Sequence, residues 1–487
     1  MNNKQLFQIN LLKLFFLLSF IFLSSCQTNP ATGEEEFLLM SEKEEWTIGA
    51  REHKKIIQEF GGVYNDKKIN NYVISLGEFL LATSELAGSK FTFTVLDTQI
   101  VNAFALPGGF VYVTRGLISL CQNEAQLAGV IAHEIGHITA RHTARRYTRS
   151  IGTGVVANIL GTLTNNVALR NIINQSAGLY SLSYSREHEY EADLLAIRYM
   201  QRAGFNVQEM PKFLSIMEEY SILSKKIFNM KNKKISELLL THPSSSKRVK
   251  KLIEKNKQID NTNPITGRDV FLKKIEGMVY GSNLNEGIIY NQKFIHPPLQ
   301  ISFDIPESFY FLNLPKNVIG YDSKKSKIVF DMDINKNKLE IEEYTKNWDK
   351  LPKKSFIKYS VINGFKASNI NFSRGDEKIN LFLLQDSEYK IYRFVFISKS
   401  DEHKKASSQF QELVKSFKLI SKIEADKIEP NKISIKTKEY IKKNQSNNLG
   451  LSIQKRFSKD VFNTLNAVKQ NRGKEIKRFK IIVNKSP

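Results

Sequence analysis

The sequence predicts an α+β protein: a mainly helical domain with a short sheet, then an α+β accessory domain, then a small basic C-terminal module. Three observations carry this. Apolar residues recur at helical spacing through most of residues 41–257, interrupted by short strand-like runs. From about residue 265 the pattern changes to short alternating runs, the period of half-buried strands. The chain has 487 residues, room for two to four domains at about 100–200 residues each, and its 41% apolar and 25% charged residues are ordinary globular usage. Cys26 and Cys121 are the two cysteines, so a disulfide-stapled scaffold is excluded. No apolar run reaches the ~18–20 residues of a membrane span, which excludes a multi-pass protein.

Residues 1–26 read as a lipoprotein signal peptide. Lys4 and Lys13 are basic, and Leu14 to Leu23 is apolar except for Ser19, which suits an export signal and is short for a span. The run ends in Leu23-Ser24-Ser25-Cys26, which resembles the lipobox of bacterial lipoproteins and implies that Cys26 becomes the lipidated first residue. The alternative is an ordinary signal peptide with an incidental cysteine. Residue 27 is Gln, not the Asp that retains lipoproteins at the inner membrane, so the expected location is the periplasm, lipid-anchored to the outer membrane of a Gram-negative bacterium.

The elements then follow in order. Residues 27–40 read as a tether. Ser41-Glu42-Lys43-Glu44 is a capping-box pattern ahead of an apolar stripe at Trp46, Ile48, Ile56, Ile57 and Phe60, stopped by Gly61-Gly62. A second helix is predicted from about Asp66 to Leu86. Strands are predicted at Phe91 to Leu96, Val101 to Leu106 and Phe110 to Val113, the last two around the turn Pro107-Gly108-Gly109. Asn123 caps a helix expected to run from Glu124 to about Arg146. Residues 150–165 read as a loop or hairpin, a helix resumes over 174–203, and 208–257 is helical with a break at Thr241-His242-Pro243. Beyond 265, strands are predicted at Leu299 to Phe303, Lys327 to Phe330, Leu339 to Ile341, Leu381 to Leu384 and Ile391 to Ile397, with a helix at Ser407 to Phe417. The predicted segments are therefore 1–26, 27–260, 265–420 and 421–487.

The chemistry is concentrated in His133-Glu134-Ile135-Gly136-His137, inside a strong helical pattern. Four residues turn a helix by about 400°, which stacks the two imidazoles on one face. Two neutral imidazoles there can chelate Zn²⁺ and leave room for a third ligand and a water. Glu134 lies between them, within reach of that water rather than the metal. In Ser185-Arg186-Glu187-His188-Glu189-Tyr190-Glu191-Ala192-Asp193, Glu189 and Asp193 share a helix face while Glu191 points away. Glu189 is the candidate third ligand, and Asp193 is placed to accept a hydrogen bond from a ligating imidazole. His142 falls about 180° around the helix from His133 and is excluded from the site. His53, His188, His296 and His403 read as surface residues.

These motifs resemble the gluzincin zinc metallopeptidases, the family of HtpX, the type I CAAX prenyl protease and the periplasmic BepA and LoiP. The resemblance extends to Asn102-Ala103-Phe104-Ala105-Leu106-Pro107-Gly108-Gly109, Tyr112-Val113-Thr114-Arg115-Gly116, Arg141-His142 and Thr241-His242-Pro243, and covers about residues 27–255. It implies a zincin-like metallopeptidase domain, one Zn²⁺ on His133, His137 and Glu189, and Glu134 as the catalytic base. The absence of membrane spans and the lipobox place the chain with the soluble lipoprotein branch. BepA-like proteins usually carry a helical-repeat domain after the protease, and no such pattern is visible here.

The expected function is zinc-dependent endopeptidase of the cell envelope, acting on unfolded or misassembled envelope proteins as quality control. A chaperone or assembly lipoprotein, or a cell-wall-binding lipoprotein, is the alternative; the intact Glu134 argues against a pure binder. The strand at Val101 to Ala105 is an expected edge for an extended substrate. His242, held off the helix by Pro243, is a candidate lid over the metal, a candidate oxyanion helper, or a surface residue of a turn. The net charge is +23, with +16 on residues 260–487 and +11 on 421–487. The lysines are scattered and not interleaved with aromatics, so no nucleic-acid partner is predicted. Ile433 to Val483 faintly resembles a LysM-like strand–helix–helix–strand module, which makes peptidoglycan a further candidate partner, although the usual Gly-Asp-Thr is absent.

Overall fold

The computed structural model describes residues 26–150, 184–227, 242 and, with short interruptions, 251–443 and 458–483. Residues 1–25, which the sequence reading gave to an export signal, residues 151–183 and the neighbours of His242 lie outside the described residues. The chain forms two compact units, one with the residues up to Leu96, Ile100–Glu218 and Ser236–Lys274, the other with Asp97–Gln99, Glu219–Ile235 and Ile275–Pro487. Both mix helices with sheets, as an α+β class requires. No helix among the described residues is long and apolar enough to cross a membrane.

The first unit opens with a correction. Residues 27–40 are not a tether: β1 (Cys26–Thr28) and β2 (Glu35–Phe37) pair antiparallel. Leu38 and Met40 behind them are buried. Glu36 on β2 is held by Arg145, whose Nε lies 2.7 Å from its Oε2. Helix α1 (Glu42–Glu59) begins with the full capping box: Ser41 Oγ accepts the Glu44 N–H, and the Glu44 carboxylate accepts the Ser41 N–H at 2.8 Å. It stops before Gly61 and Gly62, both at positive φ. Helix α2 (Lys67–Leu81), capped by Asp66, buries Ile69, Val73, Leu76 and Leu80.

Strands β3 (Thr92–Leu96), β4 (Ala103–Leu106) and β5 (Phe110–Thr114) make a three-stranded sheet in the order β3-β5-β4. β5 runs parallel to β3 and antiparallel to β4. The turn between β4 and β5 needs glycine: Gly108 has φ 80°, and a Cβ there would stand 2.4 Å from the Cα of Trp46. β4 is an edge strand, yet all four of its residues are buried. Helix α3 (Glu124–Thr139) starts where the Asn123 side chain accepts the Gln126 N–H at 2.9 Å. It is buried nearly all round, which is why its pattern read so strongly. It packs on helix α4 (Arg186–Arg202), and helix α5 (Glu209–Ile227) follows.

The helix predicted from Glu124 to Arg146 is in fact two. α3 ends at Thr139, Arg141 takes φ 50°, and residues 142–150 are helical again. No glycine or proline marks the break. It is held instead by long-range bonds from the Arg141 guanidinium to Glu45, Gln27 and the Met40 carbonyl. These offset the roughly 1–2 kcal/mol that a left-handed conformation costs a non-glycine residue.

The second unit holds a four-stranded antiparallel sheet of β6 (Ile288–Tyr290), β7 (Lys293–His296), β8 (Ile301–Asp304) and β16 (Lys418–Leu419), in the order β16-β8-β7-β6. It also holds β9 (Phe309–Leu314), β10 (Asn317–Asp322), β11 (Lys327–Ile334), β12 (Phe356–Ile362), β13 (Phe365–Arg374), β14 (Glu377–Ser387) and β15 (Lys390–Lys399), a seven-stranded antiparallel sheet in the order β12-β13-β14-β15-β11-β10-β9. Phe303, Phe330, Phe394, Phe410 and Phe417 fill the core beside it, where each buried aromatic contributes on the order of 2 kcal/mol. The strand predicted at Leu339 to Ile341 is absent. A short helix, α6 (Ile341–Lys346), stands there, with Glu342 and Glu343 in its first turn and Ile341 in an apolar cluster with Ile370, Leu381 and Ile391. The tail places β17 (Lys432–Thr437) antiparallel to β18 (Arg478–Val483), with helices at Lys438–Lys443 and Ser458–Leu465 between them.

Candidate metal centre

α3 carries His133 and His137 one turn apart, with their Nε2 atoms 3.0 Å from each other. α4 approaches α3 closely because position 136 is glycine. A Cβ there would lie 3.1 Å from the Ala192 carbonyl oxygen and 3.2 Å from the Leu195 Cβ. That approach brings Glu189 to the histidines, its Oε2 3.6 Å from His133 Nε2 and its Oε1 3.5 Å from His137 Nε2. His242 completes the group. Its Nδ1 is 2.9 Å from Glu189 Oε1 and 3.3 Å from His133 Nε2. All four side chains are buried, and their nearest donor atoms lie within 4.8 Å of one another.

The donor set fits Zn²⁺. Four ligands at about 2.0–2.2 Å around a tetrahedral ion stand roughly 3.3–3.6 Å apart. Five of the six separations here run from 2.9 to 3.6 Å. The chemistry points the same way. His133 Nδ1 lies 3.0 Å from Asp193 Oδ1, so it carries the proton and leaves Nε2 as a lone pair. That lone pair then faces a second imidazole and a carboxylate, an arrangement that repels unless a cation sits among them. Burial opposes charge on His133, but the Asp193 and Glu189 carboxylates raise its pKa to about 9, so a proton competes for the place a cation would take. Burial works to raise Glu189, yet His242, His133 and His137 hold its carboxyl well below the usual range.

Glu134 is buried beside the cluster, its Oε1 3.6 Å from His242 Nε2. Next to it is an apolar cavity lined by Val130, Met210, Phe213, Leu214 and Met217, with His133, Glu134 and His242 on its wall. On the other side the Tyr184 ring stacks on His137 at 4.0 Å between centroids, and its hydroxyl is 3.1 Å from Thr143 Oγ1. Of the residues singled out in the sequence, the structure brings His133, Glu134, His137, Glu189, Asp193 and His242 together. Cys26 is on β1 and exposed.

His142 corrects the sequence reading. The 180° argument assumes one unbroken helix, and the turn at Arg141 swings His142 back instead. It is fully buried, with Nδ1 2.8 Å from His137 Nδ1. Its Nε2 is 3.1 Å from Glu191 Oε2, which also receives Arg145 Nη1 at 2.7 Å. Glu191 does point away from the cluster, but into this second layer. His53, His188 and His296 are half-buried rather than surface residues; His53 Nδ1 is 2.7 Å from the Tyr112 hydroxyl, and His188 stacks on His142. Tyr184 had no signal in the sequence beyond its place just before the Ser185 cap.

Comparison with known proteins agrees with this geometry. A model described as peptidase family M48 matches residues 67–256. The beta-barrel assembly-enhancing protease of Yersinia pestis is 30% identical over 230 residues, 45% of this chain and 46% of that protein. The protein of the same name from Escherichia coli K12 is 28% identical over 275 residues, 54% and 55% of the two chains. The chain thus spans about half the length of these bacterial relatives. The mitochondrial metalloendopeptidase OMA1 of Saccharomyces cerevisiae is 30% identical over 236 residues, which are 46% of this chain and 67% of that protein. The matched segment carries His133, Glu134 and His137 on α3, Glu189 on α4, and His242, and the chain belongs to peptidase family M48.

Proposed function

We propose that this chain is a zinc-dependent endopeptidase of the bacterial envelope that cleaves misfolded or misassembled envelope proteins. The observation that carries the reading is the buried four-donor cluster with Glu134 beside it. His133, His137 and Glu189 hold the metal, and Asp193 fixes the His133 tautomer by accepting its Nδ1 proton. Zn²⁺ bound there supplies a Lewis acid for a scissile carbonyl and makes a water easier to deprotonate. Glu134 takes the water's proton and returns it to the leaving amine. The apolar cavity beside Glu134 receives a large apolar side chain next to the bond that breaks. Unfolded segments expose such side chains, which supports misfolded substrates over folded ones. The relatives named for β-barrel assembly support an envelope setting.

In the same reading Cys26 is the lipidated anchor to the outer membrane, and the β17–β18 module contacts peptidoglycan. Cys26→Ser, followed by fractionation, tests the anchor; a variant that still sediments fully with outer membrane removes it. Cleavage of an unfolded protein such as casein, with chelator and then with restored Zn²⁺, tests the activity. Cleavage that chelation leaves intact overturns the metalloprotease reading.

A further inference from the structure

We propose that His142 and Glu191 are positioning residues for His137, a hydrogen-bonded relay that fixes the tautomer and orientation of this imidazole. The inference rests on the reading of His137 as a metal ligand. His137 Nε2 faces the donor cluster, so its lone pair must point there and its proton must sit on Nδ1. The atom facing Nδ1, at 2.8 Å, is Nδ1 of His142. Two N–H groups would clash at that distance, so His142 Nδ1 accepts. His142 then carries its own proton on Nε2, and Nε2 is 3.1 Å from Glu191 Oε2. The chain of donors therefore has one consistent direction, from His137 to His142 to Glu191.

Each member is held from outside. Arg145 Nη1 binds the same Glu191 oxygen at 2.7 Å, and Arg145 Nε binds Glu36 on β2 at 2.7 Å. The His142 ring stacks on His188 with centroids 4.4 Å apart and planes 16° apart. His142 has no exposed surface, so a phenylalanine would fill the volume; an imidazole is needed only for its two nitrogens. The two ligands on α3 thus have different supports. His133 reaches a carboxylate directly through Asp193, and His137 reaches one through a second imidazole. The relay also ties the metal centre to the N-terminal hairpin through Arg145 and Glu36.

The test is zinc affinity of the full chain, by competition with a chromophoric chelator, beside the absorption spectrum of the Co²⁺-loaded protein. His142→Phe is expected to weaken zinc binding about 10–100-fold and to alter the cobalt spectrum. His142→Asn, whose Oδ1 can still accept from His137, is expected to recover most of the affinity. Glu191→Gln keeps an acceptor without the charge and is expected to lose less than about tenfold. Wild-type affinity and an unchanged cobalt spectrum in His142→Phe overturn the proposal. If His142→Phe fails to fold, His142→Asn and Glu191→Ala decide it: equal, unaltered affinity in both overturns it, and loss confined to Glu191→Ala supports it. A wild-type protein that takes up no zinc defeats instead the metal-site reading on which the relay depends.

Discussion

Arg141 Nη2 stands 2.9 Å from Glu45 Oε2, and both side chains are nearly excluded from solvent. This pair joins α1 to the turn that ends the metal-binding helix. The same guanidinium binds Gln27 Oε1 and the Met40 carbonyl, so one residue gathers the hairpin, α1 and α3. Removing one partner of a buried pair leaves the other charge uncompensated. Burial already raises the Glu45 pKa against the opposing pull of Arg141. Arg141→Ala is expected to destabilise the protein by about 3–5 kcal/mol, read from chemical denaturation. Limited proteolysis should then cut within residues 27–40 first. A loss below about 1 kcal/mol would show that the pair does not hold the turn.

Gly136 sets the distance between α3 and α4. Its missing side chain leaves room for the Ala192 carbonyl and the Leu195 side chain. Gly136→Ala must push α4 away by a few tenths of an ångström, and Glu189 moves with it. The helix itself gains from alanine, about 1 kcal/mol by intrinsic propensity. The expected result is therefore a split: thermal stability of the metal-free protein near wild type, but zinc affinity reduced by about tenfold or more. Unchanged affinity would mean that α4 yields without carrying Glu189 away.

What was legible in the sequence follows from how local its causes are. The α3 motif, the Ser41 and Asn123 caps and the Pro107-Gly108-Gly109 turn are each set by neighbours a few residues apart. The second histidine layer was not legible. It depends on Arg141 leaving the helix, and that depends on Glu45, Gln27 and Met40, about a hundred residues earlier. The hairpin at 26–37 was missed for the same reason, because its Glu36 is held by Arg145 far along the chain. Ile341 looks like a strand residue by type, yet it is buried as the first turn of a helix lying on a sheet. In each case a tertiary contact overrides local preference.

Glu134 is separate from the donor cluster, so its chemistry can be removed without the metal. Glu134→Gln keeps the size and a hydrogen-bonding oxygen but loses the base. Metal content should stay at one zinc per chain, while cleavage of an unfolded protein falls by about 10²–10⁴. Near-normal cleavage by this variant would remove Glu134 from the assigned role. Loss of zinc along with activity would instead make it a structural partner of the cluster.

His242 lies between the donor cluster and Glu134. Its Nδ1 lies 2.9 Å from Glu189 Oε1 and 3.3 Å from His133 Nε2, and its Nε2 lies 3.6 Å from Glu134 Oε1. One imidazole thus touches two of the proposed ligands and the proposed base. A histidine that only stabilised an oxyanion would stand off from the ligands, leaving a gap for substrate. A surface turn would leave it exposed, and it is 5% exposed. We propose that His242 is a displaceable fourth donor beside three fixed ones, closing the metal position until the imidazole leaves. The Tyr184 stack on His137 and the buried edge of β4 fit the same closed state. His242→Ala is therefore expected to cleave an unfolded substrate, or the chain itself, faster than wild type. Zinc should bind it more weakly, because a donor is lost. The two effects separate at saturating zinc, where only the gain in rate remains. A fall in rate of about 10²–10³ at saturating zinc would assign His242 to the oxyanion instead.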